Sequence, residues 1–119
     1  MEIKTQRIND IGIIYFAGKT LGDPADSKVF EGCLNDLIDQ HVNKIILDLG
    51  KVERINSTGL AILITASTLF SDSGGKKVVL TGSNDFISGA LAVTKLNQFF
   101  DCYDELNDAI ASLENILCE

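Results

Sequence analysis

The segment Ile45–Leu69 limits the fold most. It opens with Ile45-Ile46-Leu47-Asp48-Leu49, a short apolar run broken only by Asp48. Gly50–Ile55 reads as a connection, and Asn56-Ser57-Thr58-Gly59 then introduces a long apolar stretch. A short strand that is apolar toward both faces and flanked by helices belongs at the centre of a parallel sheet, covered on both sides. The helix is expected from about Ser57 to Ser71, burying Leu60, Leu63, Ile64 and Ser67. Ala61, Thr65, Thr68 and Asp72 form its milder side. Ile62, Leu69 and Phe70 widen the apolar part, so this helix is either central or partly open to a partner.

The flanks extend the pattern. Glu2–Ile8 and Gly12–Ala17 read as two strands joined by Asn9-Asp10, which suits a tight turn. Ile13-Ile14-Tyr15-Phe16 is apolar on both faces and belongs inside, whereas the first strand alternates weakly and fits an edge. Gly18–Gly22 reads as a loop. Asp23 and Pro24 then supply an N-cap and a first helical residue, with Asp26 in the first turn. Val29, Phe30, Cys33, Leu34, Leu37 and Ile38 form one helical face, which should end near Gln40–Asn43. Gly74-Gly75 closes the Ser57 helix in left-handed geometry. Val78-Val79-Leu80 is a buried strand, Gly82-Ser83-Asn84 starts a third helix containing Phe86, Ile87, Ala90 and Leu91, and Phe99–Tyr103 makes a short last strand. Asp104 caps a final helix whose face holds Leu106, Ala109, Ile110, Leu113 and Leu117. The order ββαβαβαβα predicts an α/β fold in one domain, with a mostly parallel, mixed sheet packed with helices.

Composition narrows the function. The 119 residues are 45% hydrophobic and 23% charged, with a net charge of −7. Ten Lys and Arg are spread along the chain and none follows Lys95, so the clustered bases that a nucleic acid needs are missing. No run reaches the ~18 apolar residues of a membrane span, and the N-terminus lacks the apolar core of a signal peptide. The expectation is a cytoplasmic protein with no membrane insertion and no direct nucleic-acid binding. Cys33, Cys102 and Cys118 are odd in number without CxxC spacing, and His41 is the single histidine. This set fits reduced structural thiols, and neither a metal nor a cofactor is expected.

Enzymatic motifs fail on what they require. A serine hydrolase needs a base near its nucleophile, but His41 falls at the far end of the first long helix. Gly75-Lys76 imitates the end of a P-loop, yet Phe70 and Lys77 occupy positions that need Gly and Ser or Thr. No catalytic residue is assigned. On spacing alone Ser57 and Thr58 read as ordinary helix-capping residues. Asn56 is also a good cap, and this would leave Ser57 free as the first helical residue, where the helix dipole favours an anion.

Over Leu47-Asp48-Leu49-Gly50, Val52 and Ile55-Asn56-Ser57-Thr58-Gly59-Leu60 the chain resembles the STAS domain family, and within it the single-domain anti-sigma factor antagonists of bacteria. Gly18, Leu96 and Phe99 match flanking positions of the pattern. Asn56 stands where the family has Asp, and Lys95 where it usually has Gly. The resemblance implies a STAS domain over 1–119 that is a partner-switching regulator and not an enzyme. By position, Ser57 would be phosphorylated by an anti-sigma factor serine kinase, with Thr58 the weaker candidate. The unphosphorylated form would bind that kinase and release a sigma factor, and a PP2C-type phosphatase would reset the cycle. The contact surface is expected to include Asn56, Ser57, Thr58, Ala61, Ile62 and Thr65. The alternative is a STAS subunit of another complex, such as a lipid-transport ABC system, acting as a structural partner without phosphorylation.

Overall fold

The structure is a computed structural model, and residues 1–75, 77–98 and 100–114 are described. Lys76, Phe99, Leu117 and Cys118, each given a place in the sequence reading, lie outside the described residues. The elements run β1 (Glu2–Ile8), β2 (Ile11–Leu21), α1 (Pro24–Asp39), β3 (Lys44–Ile55), α2 (Ser57–Asp72), β4 (Lys77–Thr81), α3 (Asp85–Val93), a 3₁₀ turn (Leu96–Gln98), β5 (Asp101–Tyr103) and α4 (Leu106–Glu114). The expected order holds throughout. The strands lie side by side in chain order, β1 antiparallel to β2 and the rest parallel. The edge position of β1 and the central position of β3 are therefore as the sequence suggested.

Strand order fixes where the helices go. Each crossover from β2 to β5 advances by one strand, and crossovers of one hand place their helices on one face. Ile14, Ile45, Leu47 and Leu80 accordingly pack against Phe30, Leu34, Leu37, Leu63, Ala66, Phe70 and Leu91 of α1, α2 and α3. α4 is not a crossover. It covers the other face, where Ala109 and Leu113 meet Ile11, Ile13, Ile46 and Val79. Adjacent residues Ile45 and Ile46 thus point to opposite cores, which is why this strand reads as apolar without alternation.

Two segments read as loops are strand. Gly18–Gly22 is mostly the end of β2, and Gly50–Ile55 is the second half of β3. They pair with each other, Gly18 opposite Val52 and Leu21 opposite Ile55. A register shift after Tyr15 and Asp48 puts Leu49 and Gly50 opposite Phe16 alone. The Gly50 N–H donates to Asp48 Oδ1 at 2.8 Å. Gly82 packs its backbone on the bulge, where a Cβ would sit 2.7 Å from Gly50 Cα. Both strands therefore run well past the hydrophobic run that signals them.

The caps are chemically direct. Asp23 Oδ1 accepts from Ala25 N at 2.9 Å, with Pro24 opening α1. α2 ends in a Schellman turn: Gly75 N donates to Phe70 O at 2.8 Å and Gly74, at φ 89°, donates to Ser71 O at 3.1 Å. At the start of β3, Lys44, with its side chain 1% exposed, donates from Nζ to Asp10 Oδ2 at 2.7 Å. That pair ties the β1–β2 turn to the start of β3. The hydrogen bond from Lys44 holds the Asp10 carboxyl below the ordinary value of 3.8, against the opposing effect of burial. On α1, Val29 departs from the expected apolar face and is exposed, while Phe30, Leu34 and Leu37 are buried.

Candidate functional site

The site forms where β3 ends and α2 begins. Asn56 has extended backbone and is the N-cap of α2: its Oδ1 accepts from Gly59 N at 3.0 Å. Its backbone N–H donates to Leu21 O at 3.2 Å, and its Nδ2 reaches Gly22 O at 3.4 Å. One side chain therefore caps a helix with its oxygen and holds the end of β2 with its nitrogen. Gly22 and Gly59 make this joint possible. A Cβ on Gly22 would overlap the Asn56 amide, and a Cβ on Gly59 would overlap the Leu21 carbonyl oxygen. α3 starts in the same way, with Asn84 Oδ1 accepting from Ile87 N at 2.9 Å and Nδ2 donating to Glu53 O at 2.8 Å.

With Asn56 serving as the cap, Ser57 is the first residue of α2 and is exposed. Its hydroxyl makes no hydrogen bond among the described residues. It sits at the positive end of the helix dipole, with exposed Lys51 and Arg54 close in the chain. His41 lies beyond the C-terminus of α1, and the whole length of β3 separates it from Ser57. Among the described residues no three His, Cys, Asp or Glu side chains are grouped to hold a metal ion. Burial raises the Cys33 and Cys102 thiols, with Asp36 and Asp101 adding to the effect, so neither is a ready thiolate. What the arrangement offers is an accessible hydroxyl on a rigid platform.

The expected contact residues divide in one place. Asn56, Ser57 and Ala61 are exposed, and Thr58 and Thr65 are half-buried. Ile62 is 2% exposed and belongs to the core, so it cannot contact a partner directly. Ile64, expected inside, is instead 46% exposed, and Leu60 and Ser67 are only half-buried. The buried side of α2 is Gly59, Ile62, Leu63, Ala66 and Phe70. Gly59 sets this phase, because only a residue without a side chain can face Leu21 there, and Ile62, Leu63 and Ala66 follow at helical spacing. The outward stripe is then Ser57, Ala61, Ile64 and Thr68. Phe86 and Arg54, which the sequence reading did not assign to the site, are exposed beside it, with the guanidinium 5.6 Å from the ring centroid.

The joint at Asn56 has a measurable cost of removal. Asn56→Ala loses the cap and the hold on Gly22 together, and is expected to lower stability by about 1–2 kcal/mol in urea unfolding. A loss of only a few tenths would mean that water replaces both bonds.

Comparisons with known proteins bear on the family and the fold. A protein of Thermotoga neapolitana, named as a candidate anti-sigma factor antagonist, is 26% identical over 80 residues, which span 67% of this chain and 70% of that protein. The crystal structure of a candidate anti-sigma factor antagonist from Thermotoga maritima superposes with a TM-score of 0.80 at 25% identity, covering 94% of each chain. A sulfate transporter family protein from Wolinella succinogenes shares the fold with a TM-score of 0.80 at 20% identity, covering 94% of this chain and 91% of the other. The STAS domain profile matches residues 2–109. That match takes in every strand and the Asn56–Gly59 joint, and the chain belongs to the STAS domain family.

Proposed function

We propose that this protein is an anti-sigma factor antagonist, a regulatory binding protein of the cytoplasm without catalysis of its own. Unphosphorylated, it binds an anti-sigma factor serine kinase and so releases a sigma factor. Phosphorylation of Ser57 ends that binding, and a PP2C-type phosphatase restores it. The observation that carries this reading is Ser57 itself, an exposed hydroxyl opening α2 while Asn56 does the capping. The names of the two Thermotoga proteins point the same way.

The physics of the switch is local. A phosphate on Ser57 adds roughly −1.5 to −2 charges and three acceptor oxygens. The free N–H groups and dipole of α2 tolerate it, so the domain stays folded. A partner packed against α2 must then desolvate that charge, and each ~1.4 kcal/mol of penalty weakens binding about tenfold. No large change of shape is needed. Thr58 is half-buried and is the poorer acceptor.

The test is incubation with the cognate anti-sigma factor kinase and ATP, followed by intact mass and peptide mapping. One phosphate on Ser57, absent in Ser57→Ala, is expected, and Ser57→Glu should bind the kinase at least about tenfold more weakly. Lack of phosphate together with unchanged binding by Ser57→Glu would overturn the reading. A second reading is a structural subunit of another assembly, such as a lipid-transport ABC system; Asn56, standing where the family has Asp, favours it by removing a charge beside Ser57. Copurification with an ABC ATPase, with no kinase, would favour it.

A further inference from the structure

Among the described residues the exposed large apolar side chains are Val29, Ile64, Phe86 and Val93. All lie on α1, α2 or α3, the three helices that share one face of the sheet. Scattered exposed apolar groups are ordinary, but Ile64, Phe86 and Val93 are organised. Phe86 and Val93 are seven residues apart on α3 and so share a side of it. Leu96, just after α3, lines a cavity of about 210 Å³ with Ile64 and Thr68 of α2. That cavity sets the segment just after α3 against the outward side of α2.

The surface of α2 and α3 is unusually neutral for a chain of net charge −7. α2 carries no charged residue from Ser57 to Ser71, and α3 has only Asp85. Two exposed cations stand at its border, Lys95 just after α3 and Arg54 at the end of β3, and Arg54 is held against the Phe86 ring. The ion pairs among the described residues include neither cation. An arginine stacked on an aromatic ring has already lost side-chain freedom and keeps its fork of donors. Arg and large aromatic residues are also the side chains that dominate binding hot spots.

We infer that Arg54 and Phe86 are the specificity-determining anchor of a protein-docking surface formed by α2 and α3. Its occupant is a protein segment that lays apolar side chains on Ile64, Phe86 and Val93 and places a carboxylate on Arg54. Charge selects this occupant: α2 has no charge from Ser57 to Ser71, α3 has only Asp85, and Arg54 and Lys95 are exposed cations outside the ion pairs among the described residues. The inference rests on the proposed function in taking that segment to come from the anti-sigma factor, and it extends the contact surface from α2 to β3 and α3. It also adds to the regulation of Ser57. A phosphate three residues from Arg54 competes with the partner's carboxylate for the same guanidinium.

Calorimetric titration of the cognate anti-sigma factor with wild type, Arg54→Ala, Arg54→Lys and Phe86→Ala tests this, at low and at high salt. Arg54→Ala and Phe86→Ala are each expected to weaken binding about tenfold or more, with Arg54→Lys recovering only part. Arg54→Ala should also flatten the salt dependence, a readout that a packing role would not move, while melting temperatures stay unchanged. Binding by Arg54→Ala within about twofold of wild type overturns the inference. Panning a random phage-displayed peptide library on the wild-type protein gives an answer that does not need the kinase. Enriched peptides should pair Asp or Glu with apolar residues and lose binding to Arg54→Ala. Peptides that ignore Arg54, or no enrichment over Arg54→Ala, overturn the inference, as does self-association in sedimentation that Phe86→Ala abolishes. Failure of the anti-sigma factor to bind wild type would sink the proposed function while the panning still decides the role of Arg54.

Discussion

Gly59→Ala is expected to destabilise the fold by about 3 kcal/mol, the upper end for overpacking, because the obstacle is backbone. The added methyl would overlap the Leu21 carbonyl oxygen and press on the Ile55 side chain. Neither can yield cheaply, since Leu21 and Ile55 pair with each other and Leu21 O accepts from Asn56 N. Relief requires α2 to lift off the end of β2, which would pull Ser57 out of place. The controls are Gly32→Ala on α1 and Gly89→Ala on α3, where a Cβ meets nothing within 4 Å. Both should stabilise, by up to about 1 kcal/mol, because alanine is the better helix former. Urea unfolding of the three variants separates the effects. A Gly59→Ala protein as stable as wild type would mean that Gly59 is not what sets the height and phase of α2.

The second large effect is expected at the other end of β3. Asp10→Asn removes the carboxylate that pairs with Lys44, and it leaves an ammonium with 1% side-chain exposure without a counter-charge. Breaking a buried pair from one side costs about 3–5 kcal/mol, and Asp10, with a side chain 26% exposed, places this case at the lower end. The double variant Asp10→Asn/Lys44→Met should recover much of the loss, since it removes both charges and keeps an unbranched side chain in the core. The pH dependence has a definite sign. The Asp10 carboxyl titrates lower in the folded chain than its ordinary value of 3.8. Its contribution is complete above that value and is lost as pH falls through the lower folded one. Acid unfolding of wild type below about pH 4 should therefore be steeper than that of the double variant.

The sequence announces some of this structure and hides the rest for physical reasons. Asp23-Pro24, Asn56, Gly74-Gly75 and Asn84 mark helix ends through their own local chemistry, and the structure places helix ends at each. Strand lengths are less visible. Gly18–Leu21 and Gly50–Ile55 carry little apolar signal because they are held by each other, across a separation in the chain that local pattern cannot sense. Hydropathy alone places the buried side of α2 about one residue away from where it lies. Leu60, Leu63 and Ile64 make a plausible stripe by hydropathy, but Gly59 has to face Leu21, and that steric fact turns Ile62 inward and Ile64 outward. A glycine in the first turn of an otherwise apolar helix was the available clue. Arg54 and Phe86 carry no shared signal in the sequence because they lie on different elements, and only the fold brings the guanidinium over the ring.

Strand order has a consequence for how the chain reaches its native state. Each strand pairs with the one immediately before it in the chain, so no pairing waits on a distant segment. Each parallel pairing still has to close over one intervening helix, Ile11 with Lys44 and Lys44 with Lys77, and that loop closure is the slow part of each step. The β1–β2 hairpin offers an edge to β3 as soon as α1 has been made, and β3 then offers one to β4. The chain can thus fold progressively from its N-terminus during synthesis. On that schedule β3 can dock before α2 is complete, so the platform under Ser57 is laid down before the helix that presents it.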